Sequence, residues 1–142
     1  MGRIQSNNTK TYNLKCCMVT NSSIETRRQI WLALSEFYLD IELTDDDLYR
    51  IAKIFHQSGL TIDTIKEIDI YEVFPVLQPN LLSVAGSWAG FESEWLFKEC
   101  ESMYIKRQSW FHNNITKFWN SIFYRMRLNY WNKIEKYYHK FS

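Results

Sequence analysis

A helix-start signature occurs twice in this chain, seventeen residues apart. In the first copy Thr44 stands three residues before Asp47, and the apolar residues Leu43 and Leu48 flank the start. Each polar side chain of such a pair can bond a backbone N–H of the first helical turn, and the apolar pair fixes the entry of the chain. Acids in the first turn also suit the positive end of the helix dipole.

The second copy begins at Thr61, where Leu60 and Ile65 occupy the apolar flanking positions. Gly59 lies just before it and is a typical helix stop, because glycine adopts left-handed backbone without a steric penalty. We expect Pro75 to close the second helix, since proline disfavours helical backbone in the residue before it. Two helices joined by a short turn pack antiparallel, so these residues predict a helical hairpin.

Further helices are predicted on both sides of this hairpin. Ser22 and Glu25 form another capping pair and open a helix that ends near Leu39. Residues 75–91 contain two prolines and two glycines and predict an apolar connector with one short helix from Asn80 to Val84. Two more helices are expected, from Glu92 to about Arg107 and from about Ser109 to Tyr138.

The last of these helices carries aromatic residues in adjacent pairs that recur every seven positions. The pairs are Phe123 with Tyr124, Tyr130 with Trp131, and Tyr137 with Tyr138. Adjacent pairs make the apolar stripe wider than a two-helix seam requires. The pattern therefore predicts that this helix packs against two neighbours.

These elements predict an all-α protein with a single compact domain of five to six helices over residues 22–142. Residues 1–21 are polar and predict a flexible N-terminal arm. A length of 142 residues is typical of one domain, and a composition with only four glycines and two prolines suits helices. The expected core residues are Trp31, Leu34, Ile51, Phe55, Ile68, Leu81, Val84, Trp88, Trp95 and Ile122.

Charge is distributed unevenly along the chain, although the net charge is only +1. Residues 36–101 contain fourteen acids and four bases, whereas residues 104–142 contain eight bases and one acid. Such asymmetry indicates either an internal match or a charged partner. Because acids at helix starts are held by capping, we expect an acidic pole that is separate from a basic ridge on the last helix.

Neither a catalytic nor a metal-binding constellation is evident. His56, His112 and His139 lack metal-ligand spacing, and the acids at 45–47 lack the spacing of a calcium loop. We therefore expect no metal and no cofactor. Glu94 lies beside Trp95 and is the carboxylate best placed for acid–base work, which needs an apolar pocket.

Three cysteines make a poor disulfide framework and favour reduced thiols in a cytosolic protein.

Two blocks of sequence resemble an uncharacterised family of small bacterial all-helical proteins. The matching positions are Arg27, Arg28, Trp31, Ala33-Leu34-Ser35, Leu39-Asp40, Glu72-Val73, Pro75-Val76-Leu77, Asn80-Leu81, Val84-Ala85-Gly86, Trp88 and Gly90-Phe91. Glu94 and Trp95 follow the second block. The family commonly has an acid before the tryptophan where this chain has Ser87, which weakens a catalytic role for that loop. The resemblance implies a helical fold and no established activity.

Our leading hypothesis is a non-catalytic cytosolic binding protein, in the manner of an immunity protein or antitoxin that neutralises a toxin by occlusion. An acidic surface speeds the capture of a basic partner such as a toxin. The expected contact residues are Glu42, Asp45, Asp46, Asp47, Asp63, Glu67 and Asp69. One alternative is a nucleic-acid-binding module that uses the basic aromatic C-terminal helix. Another is a small enzyme centred on Trp88 and Glu94, and no transmembrane segment is expected.

Overall fold

The computed structural model describes residues 23–39, 41–82, 91–107 and 110–142, without the side chains of 80–82, 110–113, 115–120, 122, 123 and 126. All regular structure in these ranges is helical, which confirms the all-α prediction. The elements are α1 (23–35), a 3-10 turn (Glu36–Tyr38), α2 (Asp45–Gln57), α3 (Ile62–Ile68), a π-helical turn (Asp69–Val73), α4 (Phe74–Leu82), α5 (Ser93–Lys106) and α6 (Trp110–Phe141). The predicted arm lies outside the described residues.

The two predicted helix starts have the expected hydrogen bonds. The Thr44 hydroxyl accepts from the N–H of Asp47 at 3.3 Å, and the Asp47 carboxylate accepts from the N–H of Thr44 at 3.0 Å. Bonding to the hydroxyl of Thr44, and then to its N–H, lowers the pKa of Asp47. The Thr61 hydroxyl accepts from the N–H of Thr64 at 3.2 Å. Between the helices Gly59 has φ +72°, a left-handed conformation that stops α2.

The prediction that Pro75 ends the second helix is wrong. The helical path continues from α3 through the π-helical turn into α4, where Pro75 is the second residue. The N–H of Phe74 donates to the carbonyl of Asp69, five residues back. This shift of hydrogen-bond register accommodates the proline ring, which in an uninterrupted α-helix clashes with the carbonyl four residues earlier.

Helix α6 packs against α2 and also contacts the π-helical turn and α4, in agreement with the prediction of more than one neighbour. Tyr137 packs edge-on against Tyr49 of α2, with ring centroids 5.6 Å apart. Its neighbour Tyr138 donates a hydrogen bond of 2.8 Å to the carbonyl of Leu60, in the turn between α2 and α3. The Tyr138 ring also contacts His56 of α2, with centroids 5.6 Å apart, so both tyrosines of this pair pack against α2.

The predicted core is confirmed at five positions and wrong at one. The buried five are Trp31, Leu34, Ile51, Phe55 and Ile68. Trp95 is 40% exposed and stacks on Phe91 at the surface, because the buried side of α5 is formed by Leu96 and Cys100. The side chains of Leu81, Val84, Trp88 and Ile122 lie outside the described part of the chain.

Candidate functional site

Two carboxylates on the π-helical turn are buried in the core. Asp69 is 1% exposed and Glu72 is 0% exposed. They stand three residues apart and so face the same side of the helical path. Removing a carboxylate from water costs several kcal/mol unless cations and hydrogen-bond donors replace the water. Each of the two is therefore expected to have its own set of donors.

Glu72 is bonded by two residues of α1 and by the residue that caps the C-terminal end of α5. Arg27 of α1 approaches both carboxylate oxygens, at 2.7 and 2.9 Å. The indole N–H of Trp31, one turn further along α1, donates at 2.8 Å. Arg107, at the end of α5, donates at 3.1 Å and also pairs with Glu67. This cluster joins α1, α5 and the π-helical turn.

Asp69 is bonded in the same manner by the 3-10 turn and α6. The hydroxyl of Tyr38 donates to Oδ1 at 2.6 Å, and Arg127 donates to Oδ2 at 2.6 Å. The indole N–H of Trp131 reaches Oδ2 at 3.3 Å. Arg127 also bonds the Tyr38 hydroxyl. Glu72 thus receives two arginines and one indole, whereas Asp69 receives one arginine, one indole and one phenol.

The protonation of the Asp69 cluster follows from its burial. Burial raises the pKa of Tyr38 well above its ordinary value, and the charge of Asp69 raises it further, against the opposing charge of Arg127. Burial lowers the pKa of Arg127, but the charge of Asp69 and then that of Tyr38 outweigh it, so the pKa is raised overall. At neutral pH the tyrosine keeps its proton and the arginine its charge, so both act as fixed donors.

Two predictions about charge are therefore wrong. Asp69 was expected at a partner-binding surface, and it is buried. The acidic region and the last helix were expected not to neutralise each other, yet Arg127 pairs with Asp69 and Lys133 pairs with Asp45 at 2.7 Å. The reason is that α6 runs along both α2 and the π-helical turn, so its bases reach acids of both.

The remaining acids of the predicted surface have different environments. Asp47 is used by the cap of α2, Asp45 pairs with Lys133, and Glu67 pairs with Arg107. Three others are exposed and form no ion pair with any residue that the structure describes: these are Glu42, Asp46 and Asp63. Asp63 lies in the first turn of α3 and Asp46 in the first turn of α2, whereas Glu42 stands two residues before Thr44, the N-cap of α2.

Large apolar side chains are exposed next to Glu42 and Asp46. Ile41 is 58% exposed and Tyr49 is 46% exposed. The ring of Tyr49 contacts Tyr137 and Phe141 of α6, with centroids 5.6 and 5.2 Å away. We call this surface the α2–α6 face and define it by Ile41, Glu42, Asp46, Tyr49, Tyr137 and Phe141. It combines unpaired acids with partly exposed rings.

A family model described as a domain of unknown function, DUF7079, matches residues 25–137. The chain belongs to the DUF7079 family. No curated protein and no solved structure matches the chain. The prediction of an uncharacterised family is thereby confirmed, and the matched range of this DUF7079 domain includes every residue of both carboxylate clusters.

Three residues of the motifs that resemble the uncharacterised family meet in the Glu72 cluster. Arg27 and Trp31 come from one part of the sequence and Glu72 from another, and in the DUF7079 domain both Arg27 and Trp31 donate hydrogen bonds to Glu72. Arg28 instead lies 5.5 Å from the ring centroid of Phe97. Gly86, Trp88, Gly90 and the side chain of Asn80 lie outside the described residues, so their predicted roles stay predictions.

A catalytic role finds little support among the described side chains. Glu94 is exposed, whereas acid–base work needs a carboxylate in an apolar environment. Cys100 is buried, and burial, followed by the charges of Glu72 and Glu99, raises the pKa of its thiol. Such a thiol is a poor nucleophile at neutral pH.

Among the residues described, no cluster of three metal-ligating side chains occurs, and no helix is long and apolar enough to cross a membrane.

The bases of α6 do not form one continuous surface. Arg127 is buried and Lys133 is paired with Asp45, whereas Arg125, Lys136 and Lys140 are exposed. The side chain of Lys117 lies outside the described residues. The ammonium of Lys140 lies 5.3 Å from the ring centroid of Tyr137, which itself packs on Tyr49 of α2.

Sequence reasoning missed the two carboxylate clusters, although a signal was present. Asp69 follows Ile65 by four residues, and Glu72 follows Ile68 by four. Acids that continue an apolar helical stripe are predicted to face the core, where they need cationic partners. The identity of those partners could not be found in this way, because Arg107 and Arg127 are distant in sequence.

Proposed function

We propose that this DUF7079 domain is a non-catalytic binding protein that captures a basic protein partner through the α2–α6 face. An immunity protein that neutralises a toxin by occluding it is the specific form of this proposal. The proposal rests on the composition of that face, which has exposed apolar and aromatic side chains that can anchor an interface and unpaired acids that attract a cationic partner.

The observation that carries the proposal is the exposure of Ile41 and Tyr49 beside Glu42 and Asp46. Exposed aromatic and aliphatic side chains contribute most of the affinity at protein interfaces when a partner covers them. Unpaired acids around them raise the association rate of a basic partner and disfavour an acidic one. Tyr49 is already held by two neighbouring rings, so little side-chain entropy is lost when a partner covers it.

The buried carboxylates support a structural role for the charged core. Asp69 and Glu72 are surrounded by arginine, indole and phenol donors, which leaves neither carboxylate available to move a proton in a reaction. Buried ion pairs of this kind hold elements in fixed relative positions. A rigid scaffold suits a protein whose surface must match a partner.

The test is capture of a partner by tagged protein from its native cell, followed by titration of the purified partner. The variant Glu42→Lys with Asp46→Lys reverses the two unpaired acids of the face. The matched control is Asp63→Lys with Glu94→Lys, which makes the same charge change at exposed acids elsewhere. We expect the first variant to weaken binding at least ~100-fold, because like charges across an interface cost several kcal/mol. Equal losses in both variants, or no captured protein, would contradict the proposal.

The immunity form of the proposal has its own test. If a neighbouring gene encodes a toxin, expression of that toxin alone should stop growth, and co-expression of this chain should restore it. The Glu42→Lys and Asp46→Lys variant should fail to restore growth, although it folds. Restoration by that variant would remove the link between the α2–α6 face and toxin capture.

A nucleic-acid-binding module is the second candidate, and the exposed bases Arg125, Lys136 and Lys140 favour it. It ranks lower because Arg127 and Lys133 are occupied by acids and Trp131 is buried, so fewer groups remain for phosphates and bases. Binding through phosphates weakens steeply with salt. A gel-shift titration with single strands and duplexes at low salt would show no complex if this candidate is wrong.

A further inference from the structure

A polar hollow opens where the start of α2 meets α6. It has a volume of about 530 Å³ and is lined by Glu42, Leu43, Asn129, Tyr130, Asn132 and Lys133. Ligand pockets span roughly 300–1,000 Å³, so a whole side chain of a partner fits here. We call it the Glu42 hollow. It adjoins the α2–α6 face through Glu42.

The charges at the hollow are unbalanced by one negative unit when Asp45, the ion-pair partner of Lys133, is counted with the lining residues Glu42 and Lys133. Lys133 bonds Asp45 at 2.7 Å. That hydrogen bond and the charge of Asp45 raise the pKa of Lys133, with a smaller contribution from the nearby charge of Glu42. Two carboxylates and one ammonium leave a net charge of −1. Since Glu42 forms no ion pair with any described residue, one further cation would balance the site.

The uncharged groups of the hollow also suit a cation with several donors. Asn129 and Asn132 are three residues apart, so they lie on one side of α6, and both line the hollow, where an amide side chain can supply an oxygen acceptor. The hydroxyl of Tyr130 accepts a hydrogen bond from the N–H of Leu43 at 3.4 Å, which holds its ring at the wall. A guanidinium group carries five N–H donors in one plane and stacks on aromatic rings.

We propose that the Glu42 hollow receives one arginine side chain of a basic protein partner. The inference rests on the proposed function and names the chemistry by which the partner is recognised. Arginine is favoured over lysine because the acceptors are spread over a carboxylate and two amides, whereas an ammonium group is a compact point charge.

The test uses the whole chain and small arginine probes, with the ¹⁵N–¹H signals of the Asn129 and Asn132 side-chain amides as the readout. N-acetyl-arginine amide should shift both signals saturably. N-acetyl-citrulline amide, which has nearly the same shape without the charge, should leave them unchanged. N-acetyl-lysine amide should bind more weakly than the arginine probe. Equal binding of arginine and citrulline, or of arginine and lysine, would overturn the proposal.

Matched variants locate the site of probe binding. Glu42→Gln keeps the size of the side chain and removes its charge, and it should weaken arginine binding at least about tenfold, which is ~1.4 kcal/mol. Glu94→Gln makes the same change at an exposed carboxylate of α5, outside both the hollow and the α2–α6 face, and should change affinity by less than about twofold. Unaltered binding by Glu42→Gln would overturn the proposal.

The two proposals can fail separately. If the probes bind as expected and no protein is captured from the native cell, the function proposal fails and the arginine site stands. If a partner binds through the α2–α6 face and Glu42→Gln binds that partner as tightly as the unaltered chain, the function proposal stands and the arginine site fails.

Discussion

The indole N–H of Trp31 donates a hydrogen bond of 2.8 Å to the carboxylate of Glu72, and both side chains are fully buried. The two residues are 41 positions apart. Arg27 bonds the same carboxylate from one turn earlier on α1, so a single helix face supplies both a charge and a neutral donor. These hydrogen bonds hold α1 against the π-helical turn.

Replacing Glu72 by Ala should cost about 3–5 kcal/mol in free energy of unfolding, because removing one member of a buried ion pair leaves the other charges uncompensated. Arg27 and Arg107 would both lose this partner. Urea denaturation measures the change. The control Glu94→Ala alters an exposed carboxylate and should cost less than about 0.5 kcal/mol. A loss below 1 kcal/mol in Glu72→Ala would show that the cluster contributes little.

Stability should fall at alkaline pH because of Tyr38. The pKa of Tyr38 is raised in the folded protein by burial and by Asp69. The unfolded chain therefore releases this proton above about pH 10, whereas the folded chain retains it. The free energy of unfolding should decrease with rising pH by up to ~1.4 kcal/mol per pH unit from this group.

The measurement is urea denaturation of the protein between pH 8 and pH 12. Tyr38→Phe should lower stability at pH 8, because Asp69 loses a donor, and should flatten the decrease above pH 10. Tyr49→Phe, at an exposed position, should retain the slope of the unaltered protein. Parallel curves for the protein and Tyr38→Phe would contradict the assignment.

The caps of α2 and α3 should differ in strength. Thr44→Ala should cost about 0.5–2 kcal/mol, the usual range for loss of an N-cap side chain. Thr61→Ala should cost less, because the Thr44 hydroxyl also donates to the charged Asp47 carboxylate at 2.6 Å, whereas the Thr61 hydroxyl bonds the neutral hydroxyl of Thr64 at 2.9 Å. Chemical denaturation of the two variants decides the order, and a larger loss at Thr61 would be inconsistent with the bonding.

Replacing a buried and an exposed tryptophan by alanine should reduce the free energy of unfolding by different amounts. Trp31→Ala should cost ~3–5 kcal/mol, because a fully buried ring is lost and Glu72 loses a donor. Trp95→Ala should cost less than about 1 kcal/mol, since Trp95 is 40% exposed. Thermal and urea unfolding of both variants provide the check. Similar losses would mean that Trp95 contributes to the core despite its exposure.

The candidate site was only partly predictable from sequence. Glu42 and Asp46 were expected at the surface, and they are exposed because they occupy the start of a helix, where capping and the dipole hold acids in water. Asp69 was expected there too, but it continues the apolar stripe of α3 into the π-helical turn. The sequence did not indicate that Ile41 is exposed, since an isolated apolar residue before a helix is as compatible with burial as with exposure.

The amino-acid sequence was sufficient to predict the starts of α2 and α3 and the width of the aromatic stripe on α6. These features depend on hydrogen bonds and spacings within a few residues, such as that between Thr44 and Asp47. Tertiary structure alone decided that Asp69 and Glu72 are buried and which bases neutralise them. The physical reason is that a buried carboxylate is stable only when partners replace its water. Those partners, from Arg27 to Trp131, meet the two acids only when the helices pack together.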